Sequence, residues 1–215
     1  MKVVVFIDVQ KDFVSGVLKY VYPEQPNHME IIEFAKKCRA RGYQLFATAD
    51  THERTVYDPT QPESNGEKVP TYGYFTTLEG KHCLAEHCIR GTTGHQIIDG
   101  LVKDENGDVI IPQGHIIQKS TFGSLGLAGA IENYVDELKE PLEEILICGY
   151  CTSICVVSNA LILRAKFPNT PMRVIWDLCG DCGPECHKAA LKVMHNCMIH
   201  SINADSVFME NPTAS

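Results

Sequence analysis

The sequence predicts an α/β protein, a mostly parallel sheet of about six strands with helices on both faces. Three observations predict it. Short apolar runs without polar interruption recur along the chain, as strands buried on both faces require. Segments with apolar residues at helical spacing separate them. Several runs end abruptly in a residue able to do chemistry, and open parallel sheets bind their ligands beyond the carboxyl ends of the strands.

Val3-Val-Val-Phe-Ile7 is the first such run and ends in Asp8. Asn27-His-Met-Glu30 is a capping box, with Asn27 as N-cap, for a helix whose stripe is Ile31, Ile32, Phe34, Ala35 and Cys38 and which Gly42 stops. The second strand, Tyr43 to Ala49, ends in Asp50, with His52 two residues on. From about 51 to 114 regularity falls away among prolines and glycines, and so long an excursion is usually functional. Within it Asp104-Glu-Asn-Gly-Asp108 reads as a turn rather than a calcium loop, because the acidic twelfth position is missing. His115-Ile-Ile-Gln118 is the third strand and ends in Lys119. A helix follows over Leu125 to Leu138. The fourth strand, Ile145 to Cys148, is broken by Gly149, and Thr152 or Ser153 is a natural N-cap for the next helix. Arg173 to Trp176, a helix from Glu185 to His195, and Met198 to Ile202 complete the pattern.

Cys155 falls in the first turn of the helix after the fourth strand. There free N–H groups and the helix dipole favour negative charge, which lowers a thiol's pKa and leaves amides to bind an oxyanion. Taken alone, this segment also fits a buried structural cysteine, Asp8 a cap and Lys119 a solvated strand end. Together the strand ends bring Asp8, Asp50 with His52, Lys119 and Cys155 to one pocket. Cys155 is then the nucleophile, Lys119 stabilises its thiolate, and Asp8 takes the thiol proton and delivers it to a leaving amine.

At 215 residues, 44 % hydrophobic and 21 % charged, the chain has the composition of a single soluble globular domain. A net charge of -8 without a basic stripe argues against nucleic-acid or anionic-membrane partners. Met1-Lys2 leads straight into a strand and no run reaches spanning length, so a cytoplasmic protein is expected. The ten cysteines are then thiols. Two sets share a spacing that suggests metal, Cys148/Cys151/Cys155 and Cys179/Cys182/Cys186. The first already has a role, and the second reads as small buried or loop thiols.

The anchors Phe6-Ile-Asp-Val-Gln-Lys-Asp-Phe13, Asp50-Thr-His52, His87-Cys-Ile-Arg-Gly-Thr-Thr-Gly94, Lys119-Ser-Thr-Phe122 and Gly149-Tyr-Cys-Thr-Ser-Ile-Cys-Val156 follow one another along most of the chain. In that order they resemble the isochorismatase-like cysteine hydrolases, and within them the nicotinamidases. The resemblance implies the isochorismatase-like hydrolase fold and the triad Asp8, Lys119 and Cys155. It also implies an oxyanion hole from the backbone N–H groups of Cys151 and Cys155, with a cis peptide at Tyr150–Cys151. It supplies His87 as a third metal ligand beside Asp50 and His52, and Glu63 as a further acidic one; His82 competes with His87. Asp50 and His52 also fit plain hydrogen-bonded loop residues. The implied cofactor is a divalent ion, Zn first, with Mn or Fe as alternatives. Phe13 would stack on the substrate, although core packing suits it equally, and Gln10 would orient Asp8. Tyr150 stands where relatives carry a small apolar residue, and so would narrow the pocket; Ser153 stands where many carry Asp. The implied activity is hydrolysis of nicotinamide to nicotinate and ammonia by a homo-oligomeric enzyme, the alternative being another small amide, carbamoyl or ureido substrate.

Overall fold

A computed structural model of the protein describes residues 1–19, 22, 28–53, 75–77, 80–82 and 86–209. Asn27 and Glu63, and the side chain of His82, lie outside the described residues. In chain order the elements are β1 (Lys2–Ile7), α1 (Lys11–Val14), α2 (His28–Ala40), β2 (Gln44–Asp50), β3 (Phe75–Thr77), β4 (Gly80–His82), α3 (Asp99–Val102), β5 (Ile116–Lys119), α4 (Leu125–Leu138), β6 (Glu144–Tyr150), α5 (Val157–Lys166), β7 (Met172–Gly180), α6 (Pro184–Asn196) and β8 (Ile199–Ile202).

Six strands form one sheet in the order β5-β2-β1-β6-β7-β8, and every pairing in it is parallel. The expected strands are all present. β3 and β4, a short antiparallel pair inside the irregular excursion, were not legible as strands. Val3 to Ile7 and Ile145 to Cys148 are fully buried, which is why the central strands β1 and β6 read as unbroken apolar runs. α2 packs on β2 and α3, while α4, α5 and α6 lie side by side, so that helices cover both faces. Ser124 caps α4 by accepting the Leu127 N–H at 3.1 Å. Asp104 to Asp108 is a turn, its Asp104 carboxylate accepting the N–H groups of Asn106 and Asp108. No helix among the described residues is long and apolar enough to cross a membrane.

The chain runs outward from β1 through β2 to β5, then crosses back to β6 and continues to β8. The order therefore reverses between β1 and β6, the place where such sheets open a crevice. Register does the rest. Asp50 stands directly beside Lys119, and Ile7 beside Gly149, so the ends of four strands arrive together.

Two expectations need correction. Gly149 does not end β6, which continues through Tyr150. Its φ is +126°, and a Cβ there would lie 2.0 Å from the Ile7 carbonyl oxygen, so glycine is what lets β1 and β6 approach at the crevice. His115 belongs to a single 3-10 turn before β5, its ring stacked on Phe46 at 4.2 Å. Gly149→Ala is expected to destabilise by about 3 kcal/mol or more, whereas Ser124→Ala, which removes only a cap, is expected to cost about 1 kcal/mol. Urea denaturation of the two variants checks the difference.

Candidate active site

Asp8 follows β1 directly and has a positive φ of 49°, a backbone state that Asp tolerates better than most residues. Thr48 of β2 holds it there. The Thr48 hydroxyl donates to Asp8 Oδ1 at 2.6 Å and accepts the Asp8 N–H at 3.1 Å. Asp8 Oδ2 then lies 2.7 Å from Lys119 Nζ. The same ammonium is 3.4 Å from Asp50 Oδ1 and 3.5 Å from Cys155 Sγ. Lys119 thus joins all three reactive strand ends, with its side chain 2 % exposed and that of Asp8 fully buried.

Cys155 sits in a π-helical turn, Thr152–Val156, that leads into α5. Thr152 and Ser153 do not cap it as expected; Cys151 is the N-cap residue, without a side-chain cap. The Thr152 hydroxyl instead donates to the Gly180 carbonyl and meets His187 Nδ1 at 3.0 Å. The Ser153 N–H and hydroxyl both go to the Asp181 carboxylate, at 2.8 and 3.0 Å. The turn is therefore fastened to the end of β7 and to α6. The Tyr150–Cys151 peptide is cis. The Cys151 carbonyl accepts the N–H groups of Ile154 and Val156 and passes over that of Cys155. A π-turn of this kind leaves backbone groups unused by the ladder, a common device at functional sites. Asn159 grips the far side, donating to the carbonyls of Cys155 at 2.8 Å and Phe122 at 3.0 Å.

The thiol differs from expectation. Burial pushes the Cys155 pKa well above the usual thiol range; Lys119 pulls it down, but Asp8 and Asp50 add to the rise. One shared ammonium therefore works against burial and two carboxylates at the same sulfur. Asp8 is also raised, by burial first and by Asp50, against the pull of Lys119. Burial works against the charge of Lys119, yet Asp8, Cys155 and Asp50 together hold it above the ordinary lysine range. The set is a carboxylate positioned to take a proton from a thiol beside a fixed positive charge.

Asp50 turns its other oxygen away from the triad. Oδ2 is 2.8 Å from His52 Nε2 and 3.4 Å from His87 Nε2. Burial acts to raise Asp50, but the bonds from His52 and His87 and the Lys119 charge prevail and hold it well below the usual carboxylate range. Ligand atoms of Asp50, His52 and His87 all lie within 4.8 Å of one another, and all three residues are buried. One carboxylate and two imidazoles facing a common point suit a Zn, Mn or Fe ion. The Phe13 ring lies beside His87, at 5.4 Å between centroids.

Two expected roles change. Gln10 does not orient Asp8 with its side chain. Its amide bonds the backbone of Asp50 in both directions, at 2.7 and 2.8 Å, and the His95 carbonyl at 2.8 Å, so it ties β2 to the His87–His95 segment. The Tyr150 ring is 3 % exposed and lies against Gly180, where a Cβ would come within 2.4 Å of it; it fills the space behind the turn. Four positioning residues escaped the sequence reading. Thr48 is a lone polar residue in an apolar run, and Asn159 with Ser158 interrupts another, which was their signal. Asp12 accepts the Cys88 N–H at 2.8 Å and leaves no room for a Cβ at Gly94, while Asp181 carries the turn.

Residues 2–206 match the family model of the isochorismatase domain. No match is found among curated proteins. Among solved structures, the nicotinamidase/pyrazinamidase of Bacillus subtilis superposes with a TM-score of 0.68 at 20 % identity, over 94 % of this chain and 99 % of that one. The Pyrococcus horikoshii pyrazinamidase in complex with zinc gives 0.64 at 19 % identity, covering 94 % and 98 %. PnC1 from L. infantum, in complex with nicotinate, gives 0.64 at 17 %, covering 96 % and 94 %.

Lys119→Met is expected to leave Asp8 and Asp50 buried without their cation and to destabilise by about 3–5 kcal/mol, measured by urea denaturation. Thr48→Val removes a hydrogen bond to a buried charge. It is expected to lower the turnover number at least about tenfold while the far-ultraviolet circular dichroism stays unchanged.

Proposed function

The chain belongs to the isochorismatase family, and we propose that within it the protein is a metal-dependent amidohydrolase that converts nicotinamide to nicotinate and ammonia through a thioester on Cys155. One observation carries this reading: Asp8, Lys119 and Cys155 share Asp50 and its neighbourhood with the His52/His87 ligand set. A cysteine hydrolase without need of a metal has no use for a buried Asp-His-His cluster against its triad. The nicotinate bound by the L. infantum neighbour and the zinc of the Pyrococcus one point the same way.

In the proposed reaction the Cys155 sulfur attacks the carboxamide carbon as its proton passes to Asp8. Lys119 offsets the charge that develops on sulfur and keeps Asp8 in line, while Thr48 fixes which oxygen of Asp8 faces the thiol. The N–H groups of Cys151 and Cys155 receive the oxyanion. As the tetrahedral intermediate collapses, Asp8 returns the proton to the departing nitrogen and ammonia leaves. Water then attacks the thioester with Asp8 again as base, and nicotinate is released. Asp50, His52 and His87 would hold a divalent ion, Zn in the first place, which supplies orientation and polarisation of the pyridine amide. Phe13, packed on His87, would form a wall of the ring pocket.

Ammonia release from nicotinamide by the purified protein is the direct test. Release is expected to stop on chelation and return with zinc; no release with any divalent ion would move the substrate to another small amide. Cys155→Ala is expected to lower the rate by on the order of 10³-fold or more without unfolding the protein.

The pH profile gives a separate check. Asp8 must be ionised to accept the thiol proton, and its pKa lies above the ordinary aspartate value of 3.8. Activity is therefore expected to fall on the acid side through a midpoint above that value in a kcat/KM profile. A limb at or below 3.8 would show that Asp8 is not the base.

A further inference from the structure

β7 ends at Gly180, and the chain then passes through Asp181, Cys182 and Gly183 into α6, whose first residue is Pro184. Cys186 lies in the first turn of that helix. The four-residue step from Cys182 across the entry turn brings its thiol beside that of Cys186, and both residues are exposed. Beneath them lies Asp181, fully buried. Cys179, which shares the cysteine spacing, is buried in β7 and takes no part.

We propose that Asp181, Cys182 and Cys186 form a second cation site, selective for a soft divalent ion such as Cd²⁺ or Zn²⁺, on the back of the turn that carries Cys155. One ligand atom from each of the three lies within 4.8 Å of the others. The donor chemistry differs. Two sulfurs and one oxygen, open to solvent on the sulfur side, favour soft ions, whereas one oxygen and two buried imidazole nitrogens do not discriminate in that direction. The two sulfurs bind as thiolates and their protons pass to water, so the two thiolates alone offset the charge of a divalent ion. Three protein ligands leave a coordination position for water, the pattern of an exchangeable rather than a closed structural site.

Asp181 already reaches the catalytic turn. Its Oδ1 accepts the Cys151 thiol at 3.0 Å, the Ser153 hydroxyl at 3.0 Å, and the Cys182 N–H and thiol at 2.7 and 3.3 Å. Its Oδ2 accepts the Ser153 N–H at 2.8 Å. An ion on Oδ1 replaces the Cys182 thiol hydrogen bond and competes with those of Cys151 and Ser153, which border the proposed oxyanion hole. Occupancy of this site is thereby felt at the turn, whatever substrate the enzyme takes.

The test is titration of the chelator-stripped, full-length protein with Cd²⁺ in a non-chelating reductant, read by the thiolate-to-cadmium charge-transfer band. The band is expected to saturate at one ion per chain, to persist in His87→Ala, and to be lost in the double variant Cys182→Ser/Cys186→Ser. Both substituted thiols are exposed, so the double variant is expected to keep its fold by circular dichroism. Absence of the band in the wild-type protein, or its survival in the double variant, overturns the proposal.

Discussion

The buried ammonium of Lys119 is the constraint around which the rest of the site is arranged. It faces Asp8, Asp50 and Cys155 at once, with its side chain only 2 % exposed. A charge so placed is tolerable only with its counter-charges fixed, and here the fixing is done by sheet register and by Thr48. Two carboxylates against one ammonium leave an excess of negative charge. Asp50 directs the oxygen not committed to Lys119 toward two imidazoles, which is where a cation would balance the account. The chemistry of the triad and the presence of the histidine pair are thus two answers to one electrostatic problem.

The fold supplies the geometry because β1 and β6 meet where the strand order reverses. The strands bring backbone ends close, but they do not aim side chains; local devices do that. Asp8 adopts a left-handed backbone, Gly149 admits the Ile7 carbonyl, and the π-helical turn sets Cys155 apart from the regular ladder. The turn is clamped from two directions, by Asp181 and His187 on one side and by Asn159 on the other. Asp181 and His187 come from beyond β7 and from α6, and Asn159, in the helix that the turn opens, ties it to Phe122. The reactive thiol is thus held by the tertiary structure as well as by its own helix.

The sheet was readable because strands buried on both faces must be apolar throughout. Their ends were readable too, since a charged residue closing such a run is conspicuous. Asp8, Asp50 and Lys119 came from that signal, and Cys155 from its place at the start of the helix after β6. What escaped were hydrogen bonds between residues far apart: Thr48 with Asp8, Asn159 with Phe122, Asp181 with Ser153. The direction of the thiol's pKa differs from expectation for the same reason. A helix start considered alone lowers it, but burial and then the carboxylates at the ends of β1 and β2 raise it. The expected role of Gln10 toward Asp8 came from the family resemblance, whereas its amide reaches across to the backbone of Asp50 at the end of β2.

The two oxygens of Asp50 belong to different neighbourhoods, one to the ammonium and one to the imidazoles. A single side chain shared in this way couples the two neighbourhoods electrostatically. A change of charge at the histidine pair is passed through one carboxylate to Lys119, and from there to Asp8 and Cys155.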